Sequence, residues 1–161
     1  MVYINPIDIP ILKKILNYSD VTITEVLPET QNAEYDAFRF TIAGHTARFR
    51  KAKITPKKNG QFVAFWEKNT GGKNQPFHVN NTPDLLIIAV NDSLNTGYFI
   101  FPKHILITKK IISNNNSIGK MAMRIYPPWD LAMSTQAQKT QIWQNHFFHS
   151  DISKKTLHTI C

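Results

Sequence analysis

A chain of 161 residues that is 42% hydrophobic and 11% aromatic has apolar surface enough for a packed core and too much for a disordered tail. Its single cysteine, Cys161, excludes an intrachain disulfide and suits a reducing compartment. The net charge of +8 fits a phosphate-rich partner such as nucleic acid, and equally a basic surface without one. Apolar runs such as Leu85–Val90 are far too short to span a bilayer. No basic segment followed by an apolar one opens the sequence, so the expectation is a soluble cytoplasmic protein without a signal peptide.

The charge is uneven. Six acids and two lysines stand up to Asp36, a balance of −4, so the remainder carries +12. Residues 6–18 predict a short helix, with Pro10 near its start and Ile11, Leu12, Ile15 and Leu16 as its apolar stripe. Val21 to Glu34, acidic and interrupted by Pro28, reads as a connecting arm. A three-strand meander is expected next, over 37–43, 46–54 and 61–67, with Gly44-His45 and Pro56–Gly60 as turns. No acid occurs between Asp36 and Glu67, and the basic hairpin 46–66 carries Arg48, Arg50, Lys51, Lys53, Lys57 and Lys58. Strand alternation puts Arg48 and Arg50 on one face and Phe49, Lys51 and Lys53 on the other. Cations on both faces cannot be buried without partners. A polyanion, or a cleft lined with carboxylates, is the expected complement.

Asn69 to Thr82 lacks periodicity and reads as a loop. Leu85–Val90 is a continuous apolar run, as a central strand covered on both faces requires. Tyr98–Phe101 is the next strand, halted by Pro102, and His104 to Ile112 is open between strand and short helix. A second acid-free stretch, Ser93 to Trp129, contains Lys103, Lys109, Lys110, Lys120 and Arg124. Met121–Tyr126 reads as a strand ending at Pro127-Pro128-Trp129-Asp130. A helix begins at an N-cap, Ser134 or Thr135, and runs through Phe148, with Trp143 and Phe147 on one face. The tail beyond Asp151 is expected to be loosely held. There is no repeat, heptad pattern or linker, so one domain over residues 1–161 is expected.

Walker-type, G-x-S-x-G, C-x-x-C and H-E-x-x-H signatures are absent. His146 and His149, three apart, would need further ligands to hold a metal, so no metal site is assigned and both read as surface histidines. Cys161 has no fixed base beside it to act as a nucleophile.

Phe49-Arg50-Lys51-Ala52-Lys53-Ile54-Thr55-Pro56-Lys57, followed by Gly60-Gln61-Phe62-Val63 and Trp66, resembles the MepB protein family. So do Gly97–Lys103, Arg124–Asp130 and Gln138-Lys139-Thr140-Gln141 with Trp143-Gln144. The similarity covers about residues 34–148. It implies a small bacterial cytoplasmic protein that binds nucleic acid. The implied fold is α/β (α+β), a central mixed sheet flanked by helices, similar to restriction-endonuclease-type nucleases. Such nucleases place two carboxylates on Mg²⁺ with a lysine near the attacking water. The acid-x-Lys signature is missing here, and Gln61 stands where an acid would be useful. Glu34 or Asp36 and Asp84 offer carboxylates, and Lys51 or Lys53 the lysine.

Binding alone needs less: cations that neutralise phosphates and a few groups that reach bases. Arg48, Arg50, Lys51, Lys53, Lys57, Lys58 and Gln61 form that set, extended by Lys103, Arg124 and Lys139. Gln61 is the candidate for a base edge, and Trp66 or Trp129 for stacking. The rival readings are a divalent-metal nuclease, and an accessory protein that binds a phosphorylated small molecule or a protein partner.

Overall fold

In the computed structural model, which describes residues 2–160, the predicted first helix is α1 (Pro10–Asn17), preceded by a 3₁₀ turn, Pro6–Asp8. Pro10 occupies the first turn, where its missing N–H leaves nothing unpaired, and Leu12 and Ile15 are buried. The expected arm is instead a strand, β1 (Ile23–Pro28). It pairs antiparallel with β2 (Phe38–Ile42), starting at Ile23 opposite Ile42, with a bulge at Glu25 (φ 57°). β1 is a sheet edge, a setting that suits the exposed Glu25 and a terminal proline in a strand. The β-branched residues of 21–26 were the overlooked signal.

Ala43 (φ 47°) and Gly44 (φ 83°) make the tight turn that a two-residue hairpin needs, and β3 (His45–Lys51) returns along β2. The predicted strand 46–54 does not continue. At Ala52, buried and bonded through its N–H to the Ala89 carbonyl, the chain leaves the sheet, and Lys53–Ile54 forms β4. β4 pairs with β5 (Gln61–Ala64). The rest of the third predicted strand is β6 (Trp66–Lys68), which pairs with β7 (Asn74–Pro76) inside the stretch read as a loop.

The run Leu85–Val90 is buried at every position and forms β8 (Leu85–Asn91), parallel to β3. Next come β9 (Thr96–Pro102) and α2 (Lys103–Thr108), which settles the open stretch as helix. β10 (Ala122–Ile125) follows. α3 (Thr135–Asn145) starts at Ser134, whose hydroxyl accepts the Ala137 N–H at 3.0 Å. β11 (Phe148–His149) pairs with β9. The tail is not loose: it forms α4 (Lys154–Ile160), held by buried Ile152 and Leu157 and by Asp20, which accepts the Lys154 N–H. The expectation for Cys161 lies outside the described residues.

The strands assemble into a six-stranded mixed sheet, β1-β2-β3-β8-β9-β11, and a three-stranded sheet, β10-β5-β4. With four α-helices among the described residues the class is α+β. One core lies between the large sheet and α1 and α4, around Leu12, Phe49, Ile87, Ile100 and Leu157. The other packs the small sheet and α2 against the opposite face, around Val63, Phe65, Phe77, Ile88, Phe101 and Ile125. Among the described residues no helix is long and apolar enough to cross a membrane.

Candidate nucleic-acid interface

The break at Ala52 divides the basic stretch in two. Before it, Arg48 and Arg50 are 4% and 0% exposed. They point from β3 into the second core, where Glu29 at the end of β1 meets both. Arg50 Nη1 lies 3.1 Å from Glu29 Oε1, Nη2 3.4 Å from Oε2, and Arg48 Nε 3.5 Å from Oε1. Arg50 also donates to the Asn32 side chain (3.1 Å) and the Phe49 carbonyl (2.9 Å). The Arg48 guanidinium lies 3.8 Å from the centre of the Phe77 ring. Asn32 is left-handed (φ 62°), which asparagine tolerates, and its Oδ1 accepts the Trp66 N–H as well.

Two buried cations thus share one carboxylate. Burial brings Arg48 down to about 10, with the attraction of Glu29 opposing it. Neither arginine reaches solvent, which corrects their assignment to phosphate contacts. Gln61 is corrected too: it is 1% exposed and donates to the Asn91 carbonyl at 3.0 Å, tying the small sheet to the end of β8.

After the break the cations are outside. Lys53 and Arg124 are the cross-strand partners of Phe62 on either side, so the three side chains stand in one row on one face of the small sheet. Lys53 Nζ lies 4.8 Å from the centre of the Tyr35 ring, Tyr35 meets Phe62 edge-on at 6.4 Å, and the Arg124 guanidinium lies 5.9 Å from Phe62. Arg124 is fixed by donating to the Thr55 hydroxyl (2.6 Å) and the Asn59 carbonyl (3.2 Å).

Lys57 and Lys58 are exposed on the β4–β5 turn. That turn closes through Gly60 (φ 76°), where a Cβ would come within 2.7 Å of the Tyr126 ring. The hollow beside it is also lined by Asp92 and Asp130, a pairing the sequence reading missed because 38 residues separate them. The Leu94 N–H, with the Asn95 side chain and N–H, holds Asp92 low. Burial, then the charge of Asp92, raises Asp130.

Beyond Arg124 a cleft of about 350 Å³ separates β10 from α3 and is lined by Lys109, Lys120, Arg124, Met123, Tyr126 and Trp143, among others. Buried Gln144 joins its walls, accepting the Tyr126 N–H (2.9 Å) and donating to the Arg124 carbonyl (3.0 Å). Trp143 packs on Phe101 at 5.5 Å, and Lys109 Nζ stands 5.2 Å from its ring centre. Lys139 is exposed on α3 and does not line the cleft.

The carboxylates expected to hold Mg²⁺ do not converge. Asp84 caps the start of β8, its Oδ2 accepting the Thr46 N–H at 3.2 Å and its N–H donating to the Thr46 hydroxyl at 3.1 Å. Lys51, five residues along β3 from Thr46, lies about 17 Å away at 3.3 Å per residue. Lys103 shares the Asp84 end of the sheet. Asp36 and Lys51 line a groove against α1 with Asp8 and Lys14. Glu34 is exposed beside Tyr35, where burial and then its charge raise the phenol. Asp84 is therefore far from Lys51, and the set Glu34, Asp84, Lys51 and Lys53 does not gather at one point. Among the described residues no three His, Cys, Asp or Glu gather to hold one.

His149 is half-buried and pushed down by that burial; His146 is exposed. Trp66 has Lys68 Nζ 5.3 Å from its ring centre, and Trp129 packs edge-on against Phe148 at 5.7 Å.

The MepB-like family model matches residues 29–150 of this chain. A solved structure described as the crystal structure of MepB superposes with a TM-score of 0.80 at 36% identity, over 86% of this chain and 93% of that one. A bacterial homing endonuclease overlaps with a TM-score of 0.45 at 11% identity, over 85% of each chain, too slight a likeness to bear on function. No curated protein matches the sequence.

Proposed function

The chain belongs to the MepB-like family, and we propose that it binds nucleic acid on the outer face of the small sheet β10-β5-β4. One observation carries this reading: the row Lys53–Phe62–Arg124, extended at its Lys53 end by Tyr35. Cations spaced by rings suit a strand whose phosphates meet Lys53, Arg124, Lys57 and Lys58 while an unpaired base lies on Phe62. The contacts are to backbone and ring faces, so affinity depends steeply on salt and little on sequence. Because a ring face is open only to an unstacked base, single strands bind more tightly than duplexes.

The separation of Asp84 from Lys51 supports binding rather than cleavage as the reading. The test is a titration of labelled single- and double-stranded oligonucleotides at several salt concentrations, with Lys53→Glu and Phe62→Ala beside the unaltered protein. Both variants are expected to weaken binding for all sequences alike. Unchanged affinity in both would remove the sheet face from the account.

A further inference from the structure

The sheet face does not explain the cleft beside it. Lys109 comes from the end of α2, Lys120 from the segment before β10, and Arg124 from β10 itself, and the three converge on one cavity. Neither lysine has a carboxylate within ion-pair distance among the described residues, where only Glu29 forms ion pairs, and no acid lines the cavity. The start of α3 adds the positive end of an eleven-residue helix, with Ser134 and Gln136 in the wall. Such a potential attracts an anion into the cleft.

The charge count selects the anion. A phosphodiester within a strand carries one negative charge, whereas a phosphomonoester carries about −1.5 to −2 at neutral pH with three acceptor oxygens. Tyr126, Met123, Trp143 and Ile111 add apolar surface to the wall, beside the polar Thr140 and Gln144. Its volume of about 350 Å³ is at the small end of ligand cavities, which suits one nucleotide and not a longer stretch. Arg124 borders both surfaces, so the cleft adjoins the sheet face.

We infer that the cleft between β10 and α3 is a phosphomonoester site, which takes the terminal phosphate of a nucleic-acid strand or of a free nucleotide. For a strand this rests on the sheet-face reading; for a free nucleotide it stands alone.

The experiment compares one single-stranded oligonucleotide with a 5′-phosphate, with a 3′-phosphate, without either, and as a circle of the same length, by fluorescence anisotropy. Adenosine monophosphate, adenosine and orthophosphate serve as competitors. The unaltered chain is set beside Lys109→Gln and Lys120→Gln, both at exposed positions that leave folding intact. One of the terminal phosphates is expected to tighten binding about fivefold, the scale of a charge-assisted contact. That ratio should fall toward one in both variants, and the monophosphate, not adenosine, should compete away the increment. Monophosphate binding that both variants abolish, with no oligonucleotide binding, would keep the cleft and discard the sheet face. Salt-steep oligonucleotide binding, indifferent to terminal phosphate and to the monophosphate, would do the reverse. Orthophosphate competing as well as the nucleotide would overturn the assignment to a nucleotide.

Discussion

Arg48 and Lys53 stand five residues apart in one basic run, carry the same charge and have opposite fates. Arg48 lies under Phe77 with Glu29 as its counter-charge, while Lys53 projects from the small sheet beside Tyr35. The difference originates in Ala52, where the chain crosses from one sheet to the other and so exchanges a face covered by a second layer for one open to solvent. Charge density along a sequence therefore says little about charge density on a surface. What decides is whether a carboxylate from elsewhere arrives, and here it comes from β1, 19 residues before Arg48.

The sharpest way to break this comparison is to remove the counter-charge. Glu29→Ala leaves two buried guanidinium groups without a carboxylate and should cost about 3–5 kcal/mol in urea or thermal unfolding, with the affinity of the folded fraction unchanged. On the exposed side, Phe62→Ala should reduce single-strand affinity by about 1–3 kcal/mol and duplex affinity by less, since a base loses its stacking surface. Arg48→Met relieves the surplus buried cation. It should leave stability unchanged or raised, whereas the same substitution at a surface phosphate contact would weaken binding.

The smallest effect concerns Asp130. Its raised carboxyl is less easily ionised in the fold than in the unfolded chain. The charged form thus lowers stability at neutral pH, and the deficit disappears as pH falls through the raised value toward about 4. Asp130→Asn should be slightly more stable than the unaltered chain at pH 7 and equal to it below that window, in thermal melts across pH.

The inner strands of the large sheet, β2, β3, β8 and β9, were legible in the sequence because they satisfy local rules. Leu85–Val90 is apolar throughout, as a strand covered on both faces must be, and Ser134 announces α3 by its hydroxyl. β1 was not legible, since Glu25 and Pro28 suit an edge, and edge position is a property of the assembled sheet. Of the candidate site, Lys53 and Arg124 were named, but their meeting across Phe62 depends on the register of strands about 60 residues apart in sequence, which periodicity does not encode. The burial of Arg48, Arg50 and Gln61 was invisible for a related reason: each is satisfied by a partner distant in the chain, Glu29 or the Asn91 carbonyl. Lys109 and Lys120 were seen as part of an acid-free stretch, and only the packing of α2, β10 and α3 makes them neighbours.

The central claim is that nucleic acid meets Lys53 and the cations beyond it and not the buried Arg48 and Arg50. The slope of log affinity against log salt for a single-stranded oligonucleotide tests it directly, measured on the unaltered chain, Lys53→Gln and Arg48→Met. Loss of one phosphate contact should reduce the slope by about 0.7 for a single strand, so Lys53→Gln should flatten it by that amount and Arg48→Met should leave it unchanged. A slope that falls with Arg48→Met and stays put with Lys53→Gln would contradict the account.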